Sequence, residues 1–139
     1  MGKPITVQTY HQLWEGAMAI DWGPHYIVPS KTLKTLSGRV LLRETFDEDL
    51  LKKELATLGL PGDRMNPTNP WYCRKKGTET WIKIGESSNK KENFAVSWDT
   101  TNLDNGAYEV LGFMHVWIGK GDREVAVARQ NIVEVTVEN

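Results

Sequence analysis

The chain has 139 residues, of which 40% are hydrophobic and 25% are charged, and its formal net charge is -1. This size and composition predict one globular domain, and the balanced charge gives no electrostatic footprint for nucleic acid or an anionic membrane. No apolar stretch approaches the roughly 20 residues of a membrane helix. Residues 1–14 lack the apolar run of a secretory signal, so either the chain is not secreted by that route or a signal lies upstream.

Residues 1–35 are predicted to form an N-terminal arm or extra strands, because glycines and prolines interrupt this aromatic-rich segment. Its two tryptophans, Trp14 and Trp22, are candidate binding residues. A strand is predicted over residues 37–46, where β-branched and apolar residues follow a Ser-Gly turn signal.

One short α-helix is predicted over about 47–59. Asp47 is a suitable cap, and two acidic residues follow it in the first turn, where the helix dipole favours negative charge. Three leucines, Leu51, Leu55 and Leu58, fall on one face, and a glycine and a proline then end the helix. This helix is expected to be an insertion that lies on a β-structure.

The rest of the chain has the pattern of β-strands. Residues 62–70 contain two prolines and two asparagines and are predicted to be a loop. Five strands are predicted after it, separated by glycine-containing or polar turns, at 71–76, 80–84, 93–98, 107–118 and 125–137. Several short strands with regular turn signals favour a β-sandwich.

The segment 94–110, which contains Trp98-Asp-Thr-Thr and then Leu103-x-x-Gly106-x-Tyr108, resembles bacterial and phage immunoglobulin-like (Big-type) modules. Residues 37–42 and 71–85 resemble the early "SG-x-V" strand and the Trp-containing hairpin of the same modules. The resemblance covers residues 36–46 and 70–137. It implies an all-β, immunoglobulin-like β-sandwich over residues 36–139, and it says little about function because this fold has many roles. The spacing also predicts a tyrosine corner at Tyr108.

If Tyr108 points inward, the period of two buries Val110, Gly112, Met114 and Val116. The opposite, outer face of the strand is then unexpectedly apolar. Strands 71–76, 107–118 and 125–137 are expected to lie side by side, and their outer faces combine into one candidate binding patch of Tyr72, Arg74, Leu111, Phe113, His115, Trp117 and Ile132. A contiguous apolar patch is usually covered, here either by the chain's own arm or helix or by a partner.

No catalytic residue, metal site or cofactor is predicted. The sequence has no phosphate-binding glycine loop, no His-Glu-x-x-His and no Cys-x-x-Cys. The three histidines are scattered, and Cys73, the single cysteine, is expected to be a buried apolar residue. The acidic residues around Asp47 are explained by helix capping.

Three functions therefore remain open. The first is a non-enzymatic interaction or assembly module of a virion or extracellular surface, either a virion decoration or appendage protein or an adhesion domain. Its partner would be protein, either other copies of the chain or other subunits of the virion or surface, reached by the arm or the outer face. The alternative is a carbohydrate-binding accessory module of a larger secreted enzyme, with Trp14, Trp22, Trp81 and Trp117 as stacking rings for a polysaccharide. A structural spacer would need no binding face.

Overall fold

The structure, a computed structural model, describes residues 4–5, 17–21, 27–28, 35–62, 65–120 and 123–139. The elements within these residues are β1 (Pro4–Ile5), β2 (Ala17–Asp21), β3 (Ile27–Val28), β4 (Thr35–Leu36), β5 (Arg39–Glu44), α1 (Glu48–Thr57), β6 (Met65–Lys75), β7 (Trp81–Ser87), a 3-10 helix (Lys90–Glu92), β8 (Val96–Asp99), β9 (Gly106–Lys120) and β10 (Arg123–Val137).

The described strands form two sheets. The larger has the order β1-β7-β6-β9-β10-β2, with β4 also paired to β10, and the smaller has the order β3-β5-β8. The prediction of a β-structure with a short helix is confirmed, and β6, β9 and β10 are neighbours as expected. β1 and β2 lie within the predicted N-terminal arm and pair with β7 and β10.

β9 and β10 form the centre of the larger sheet and pair without interruption over 15 residues each. The predicted inward positions of β9 are confirmed, since Tyr108, Val110, Met114 and Val116 are buried in clusters to which Leu111 and Phe113 of the other face do not belong. The face that carries these side chains is called the inner face below. On β10 the predicted core residues Val133, Val135 and Val137 lie on it too.

The smaller sheet covers one end of the inner face. Leu42 of β5 and Trp98 of β8 pack in one cluster with apolar side chains of β6, β9 and β10. This cluster is called the sheet-covered end. Fifteen strand residues span about 50 Å whereas the six of β5 span about 20 Å, so the smaller sheet cannot cover the whole inner face.

Helix α1 covers the other end, called the helix-covered end. The Asp47 side chain accepts a hydrogen bond from the Leu50 backbone N–H (2.9 Å), as a helix cap does. Leu51 and Leu55 are completely buried. They pack against Phe94 and against apolar residues of β9 and β10: Met114, Val116, Ile118 and Val127.

A buried polar cluster joins the two ends. Glu44, Arg129 and Asn131 have no exposed surface, and Oε1 of Glu44 accepts hydrogen bonds from Arg129 Nη1 (2.7 Å) and from the Asn131 amide. A Cβ on Gly112 would lie 2.8 Å from Oε2 of Glu44. Glycine at this position of β9 therefore leaves the space that the carboxylate occupies. Arg129 also donates to the Met114 sulfur (3.1 Å) in the helix-covered end.

The prediction of a loop over 62–70 is wrong, because β6 begins at Met65. Among the described strands, Pro67 pairs only with β9, opposite Val116, and Pro70 pairs only with β7, opposite Glu86. A proline has no backbone N–H to donate. Each proline therefore lies where the strand is paired on one side, which is a position that a sheet tolerates.

Candidate functional site

The outer face of β9 carries the predicted binding patch, and part of it is covered. Leu111 and Phe113 have no exposed surface, and Tyr72 has almost none. They pack in a cluster with Trp81, Ala128 and Ile132. Leu111 and Phe113 are buried within the chain itself and have no surface to offer a partner in this conformation.

Arg74 of the same patch makes contacts within the chain. Its guanidinium carbon lies 4.3 Å from the centre of the Trp81 ring, a cation–π arrangement, and its Nε donates to Oε1 of Glu109 at 2.9 Å. These three side chains come from neighbouring strands, because Glu109 is the β9 partner of Arg74. The Arg74 side chain is therefore engaged by Trp81 and Glu109 at one end of the outer face.

The aromatic row becomes exposed toward the other end of β9. The rings of Phe113, His115 and Trp117 follow one another, with centroids 4.8 Å and then 6.4 Å apart, and the last two are nearly parallel at 18°. Phe113 is buried, His115 is half-buried and Trp117 is 41% exposed. The exposed indole of Trp117 therefore lies at the end of a row of rings whose other members are buried or half-buried.

A groove of about 260 Å³ lies beside this row and is called the Trp117 groove. Its lining comes from β6, β7 and β9 and consists of Thr68, Pro70, Tyr72, Glu86, His115 and Trp117. The Thr68 hydroxyl lies 3.2 Å from that of Ser88. The groove thus combines aromatic surface with hydroxyl groups and one carboxylate.

A β-bulge brings Glu86 to this groove. Trp71 pairs with Gly85 whereas Tyr72 pairs with Lys83, so Ile84 is an extra residue in β7. Without it, period-two alternation from Ile82, which is partly buried against the inner-face core, would direct Glu86 inward. With it, Gly85 faces inward, where an added Cβ would lie 3.4 Å from Val96, and Glu86 reaches the outer face.

Sequence reasoning identified Tyr72, His115 and Trp117 of this groove and missed Thr68, Pro70 and Glu86. The prediction of a loop over 62–70 hid the first two of the missed residues. A signal for the third was present, since a glycine inside a strand pattern often marks a bulge. Trp14 and Trp22 lie outside the residues that the structure describes.

One carboxylate, that of Glu86, is among the described side chains that line the groove. Burial, followed by the nearby negative charge of Glu86, raises the pKa of the Tyr72 phenol, so this hydroxyl remains protonated at neutral pH. Lys83 lies outside the groove lining and contacts Oε1 of Glu86 at 2.9 Å. Both partners of this ion pair are exposed to solvent, so it orients the Glu86 side chain only weakly.

A second cavity, of about 340 Å³, lies at the sheet-covered end beside Cys73, Ile82, Leu103 and Tyr108. Burial raises the pKa of Cys73 to about 11, so its thiolate, the nucleophilic form, is scarce at neutral pH. The Tyr108 hydroxyl donates to the Asp104 carbonyl at 2.7 Å, which is the predicted tyrosine corner. These groups hold the fold and offer no activated nucleophile.

The described residues lack two features that would indicate other functions. They contain no group of three or more histidine, cysteine, aspartate or glutamate side chains that could hold a metal ion. They contain no helix with the length and apolarity needed to cross a membrane. Comparison of the sequence with models of known protein families and with curated proteins gave no match.

Proposed function

We propose that the chain is a non-enzymatic interaction module of a virion or extracellular surface and that it binds its partner through the Trp117 groove. The observation that carries this proposal is the row of rings on β9, which runs from the buried Phe113 to the exposed Trp117. An exposed indole on a fixed support is a typical binding hot spot. The rigid row also limits the entropy that is lost on binding.

An immunoglobulin-like sandwich is part of the proposal, and the strand arrangement supports it. The order β7-β6-β9-β10 corresponds to the immunoglobulin sheet that contains strands C′, C, F and G, and β5 and β8 correspond to B and E of the other sheet. Trp71 is buried on the strand that corresponds to C, and Tyr108 forms its corner near the start of the strand that corresponds to F.

The two sequence segments that resemble immunoglobulin-like modules also meet in space. Arg39 of the Ser-Gly-x-Val strand pairs with Asp99 of the Trp-Asp-Thr-Thr segment. The Thr100 hydroxyl donates to the Gly38 carbonyl at 2.6 Å. This contact gives the threonine of the motif a structural role and supports the fold assignment without indicating a partner.

The size of the open surface limits the kind of partner. A stable protein complex buries roughly 800 Å² on each side, and the burial of Leu111 and Phe113 removes the centre of the patch that was predicted for this purpose. The Trp117 groove would therefore be one anchor of a protein interface, or a complete site for a small group.

Carbohydrate binding, as in an accessory module of a larger secreted enzyme, is the second candidate function. It is favoured by the nearly parallel rings of His115 and Trp117 beside the Thr68 hydroxyl and the Glu86 carboxylate. An aromatic face covers the apolar face of a sugar, and neighbouring polar groups bind its hydroxyls.

Native mass, measured by light scattering after size-exclusion chromatography over a series of protein concentrations, tests the groove as a protein interface. Trp117→Ala should lower the mass of any multimer that forms through the groove. Leu41→Ala is the matched control, since Leu41 is a large apolar residue that is 56% exposed on β5 of the other sheet. A multimer that is insensitive to Trp117→Ala would place the interface elsewhere. A monomer at every concentration would exclude self-assembly and would mean that the groove binds a different molecule.

A further inference from the structure

The Trp117 groove also indicates the chemistry of its ligand, on the condition that the groove is the binding site proposed above. Its volume of about 260 Å³ lies just below the ~300–1,000 Å³ of pockets that enclose a whole small molecule. A groove of this size accommodates one ring of a longer polymer, with the neighbouring units extending over the surface. The size of the groove therefore favours one unit of a polymer over an isolated small molecule as its ligand.

The polar groups of the groove match a sugar ring. The Glu86 carboxylate can only accept hydrogen bonds, and the Thr68 and Tyr72 hydroxyls can both donate and accept. Neighbouring hydroxyls of a sugar are donors and acceptors at short spacing. The ring of Trp117, which is stacked on His115, supplies the flat apolar face that such a ring needs.

The charge of the groove makes it selective among sugars. Among the described residues that line the groove, Glu86 is the only acidic one and none is a lysine or arginine. Lys83 contacts Oε1 of Glu86, and in the part of the chain that the structure describes no hydrogen bond reaches Oε2. A sugar with a carboxylate or sulfate at this position would be repelled, whereas a hydroxyl would be bound.

We infer that the Trp117 groove binds an uncharged hexopyranose unit of a polysaccharide and that Glu86 is the specificity-determining residue that excludes acidic sugars. Trp117 supplies the stacking face, and Thr68 with Tyr72 supplies the remaining hydrogen-bonding groups. Oε1 of Glu86 contacts Lys83 in an exposed ion pair, and Oε2 is the oxygen that would face the sugar.

The test is retardation of the native protein in gels that contain matched neutral and acidic polymers. Suitable pairs are hydroxyethyl cellulose with carboxymethyl cellulose, galactan with polygalacturonate, and mannan with polymannuronate. We expect retardation by at least one neutral polymer and little or none by its acidic partner. Trp117→Ala should weaken the neutral interaction roughly tenfold, and Leu41→Ala should leave it unchanged.

Glu86→Gln isolates the charge. It should improve binding of the acidic partner relative to the neutral polymer by roughly three- to tenfold, because the carboxylate lies near the surface where solvent weakens repulsion. Glu134→Gln is the matched control, since Glu134 also pairs with a lysine, at 3.0 Å, and is similarly exposed. Added salt should reduce the discrimination of the wild type and not that of Glu86→Gln.

The outcomes separate this inference from the proposed function. Retardation by no polymer, or multimerisation of the wild type that Trp117→Ala abolishes, would overturn sugar binding and leave a protein-binding module. Equal retardation by the neutral and acidic polymers would overturn the role of Glu86 and leave sugar binding. Retardation that Trp117→Ala does not weaken would overturn the groove itself, and with it the proposed function.

Discussion

At one end of the long strands β9 and β10 the inner face is covered by a second sheet, whereas at the other end it is covered by a helix. The sheet-covered end is a cluster of apolar side chains to which β5 contributes Leu42, β8 contributes Trp98 and β10 contributes Val137 among others. The helix-covered end depends on a single element, α1, with Leu51 and Leu55 as its buried residues. Two different covers are needed because β9 and β10, with 15 residues each, are longer than β5 of the smaller sheet, which has six.

The junction between these ends is polar, which is the unexpected part of the comparison. A buried ion pair costs desolvation and is often no more stable than an apolar replacement, whereas removing one partner leaves an uncompensated charge. Glu44 and Arg129 therefore make the two ends dependent on each other. They also divide the apolar interior into two clusters, each with its own cover.

The largest expected effect comes from breaking the junction. Glu44→Leu and Arg129→Met should each lower the free energy of unfolding by about 3–5 kcal/mol, since each leaves the other group buried without its partner. The double variant should recover most of this loss. Urea denaturation of the four proteins in a double-mutant cycle measures the coupling. A double variant whose loss equals the sum of the single losses would show that the pair is not a unit.

The same pair predicts a pH dependence. Burial raises the pKa of Glu44, and Arg129 and the Asn131 hydrogen bond oppose this rise. A carboxyl group whose pKa is raised by folding stabilises the fold at low pH, and this contribution is lost as the pH rises through the folded-state pKa.

Arg129→Met removes the opposing cation, so the pKa of Glu44 should rise further. The stability deficit of this variant relative to the wild type should therefore grow as the pH rises above the ordinary range of glutamate. Urea midpoints measured from about pH 5 to about pH 9 test this, with Lys76→Met as the control for loss of an exposed cation. A deficit that is constant with pH would contradict it.

Truncation of a buried leucine at each end should have similar effects on stability and different effects on local opening. Leu42→Ala and Leu55→Ala should each cost about 2–5 kcal/mol, since both side chains are buried. Their effects on amide hydrogen exchange should differ. Leu55→Ala should accelerate exchange mainly in α1, which is one element lying on a sheet, whereas Leu42→Ala should accelerate exchange throughout the smaller sheet and the strands beneath it. Identical exchange patterns would mean that the polar junction does not separate the two ends.

The smallest effects come from one hydrogen bond at each end. Tyr108→Phe removes the bond to the Asp104 carbonyl, and Asp47→Ala removes the cap of α1. Each should lower the free energy of unfolding by about 1 kcal/mol, measured by thermal denaturation. Thr57→Ala is a control for Asp47→Ala, because it removes an exposed side-chain bond at the other end of the same helix.

Structural features that depend on local patterns could be predicted from the sequence. The helix cap at Asp47, the inward positions of β9 and the corner at Tyr108 all follow from spacing over a few residues, and all three are present. The burial of Leu111 and Phe113 could be suspected from their apolar character. What covers them depends on distant parts of the chain, which no local period encodes.

The polar junction and the groove were harder to predict for physical reasons. Period two, extended back from Val133, directs both Asn131 and Arg129 inward, but nothing in the sequence pairs them with Glu44, which lies 85 residues before Arg129. Pro70 favours a loop in the sequence because a proline cannot donate a backbone hydrogen bond. The sequence does not show that β6 is paired on one side only at this residue, where a proline is tolerated. One extra residue in β7 decided the face of Glu86.

The single thiol makes the opening of the sheet-covered end measurable by a chemical reaction. Cys73 is buried in that cluster, and its pKa of about 11 keeps it in the unreactive protonated form. An alkylating reagent can modify it only when this end opens, so the modification rate measures how often opening occurs. Comparing that rate with and without a bound polymer would reveal whether occupation of the Trp117 groove is transmitted through β6, the strand that lines the groove and carries Cys73.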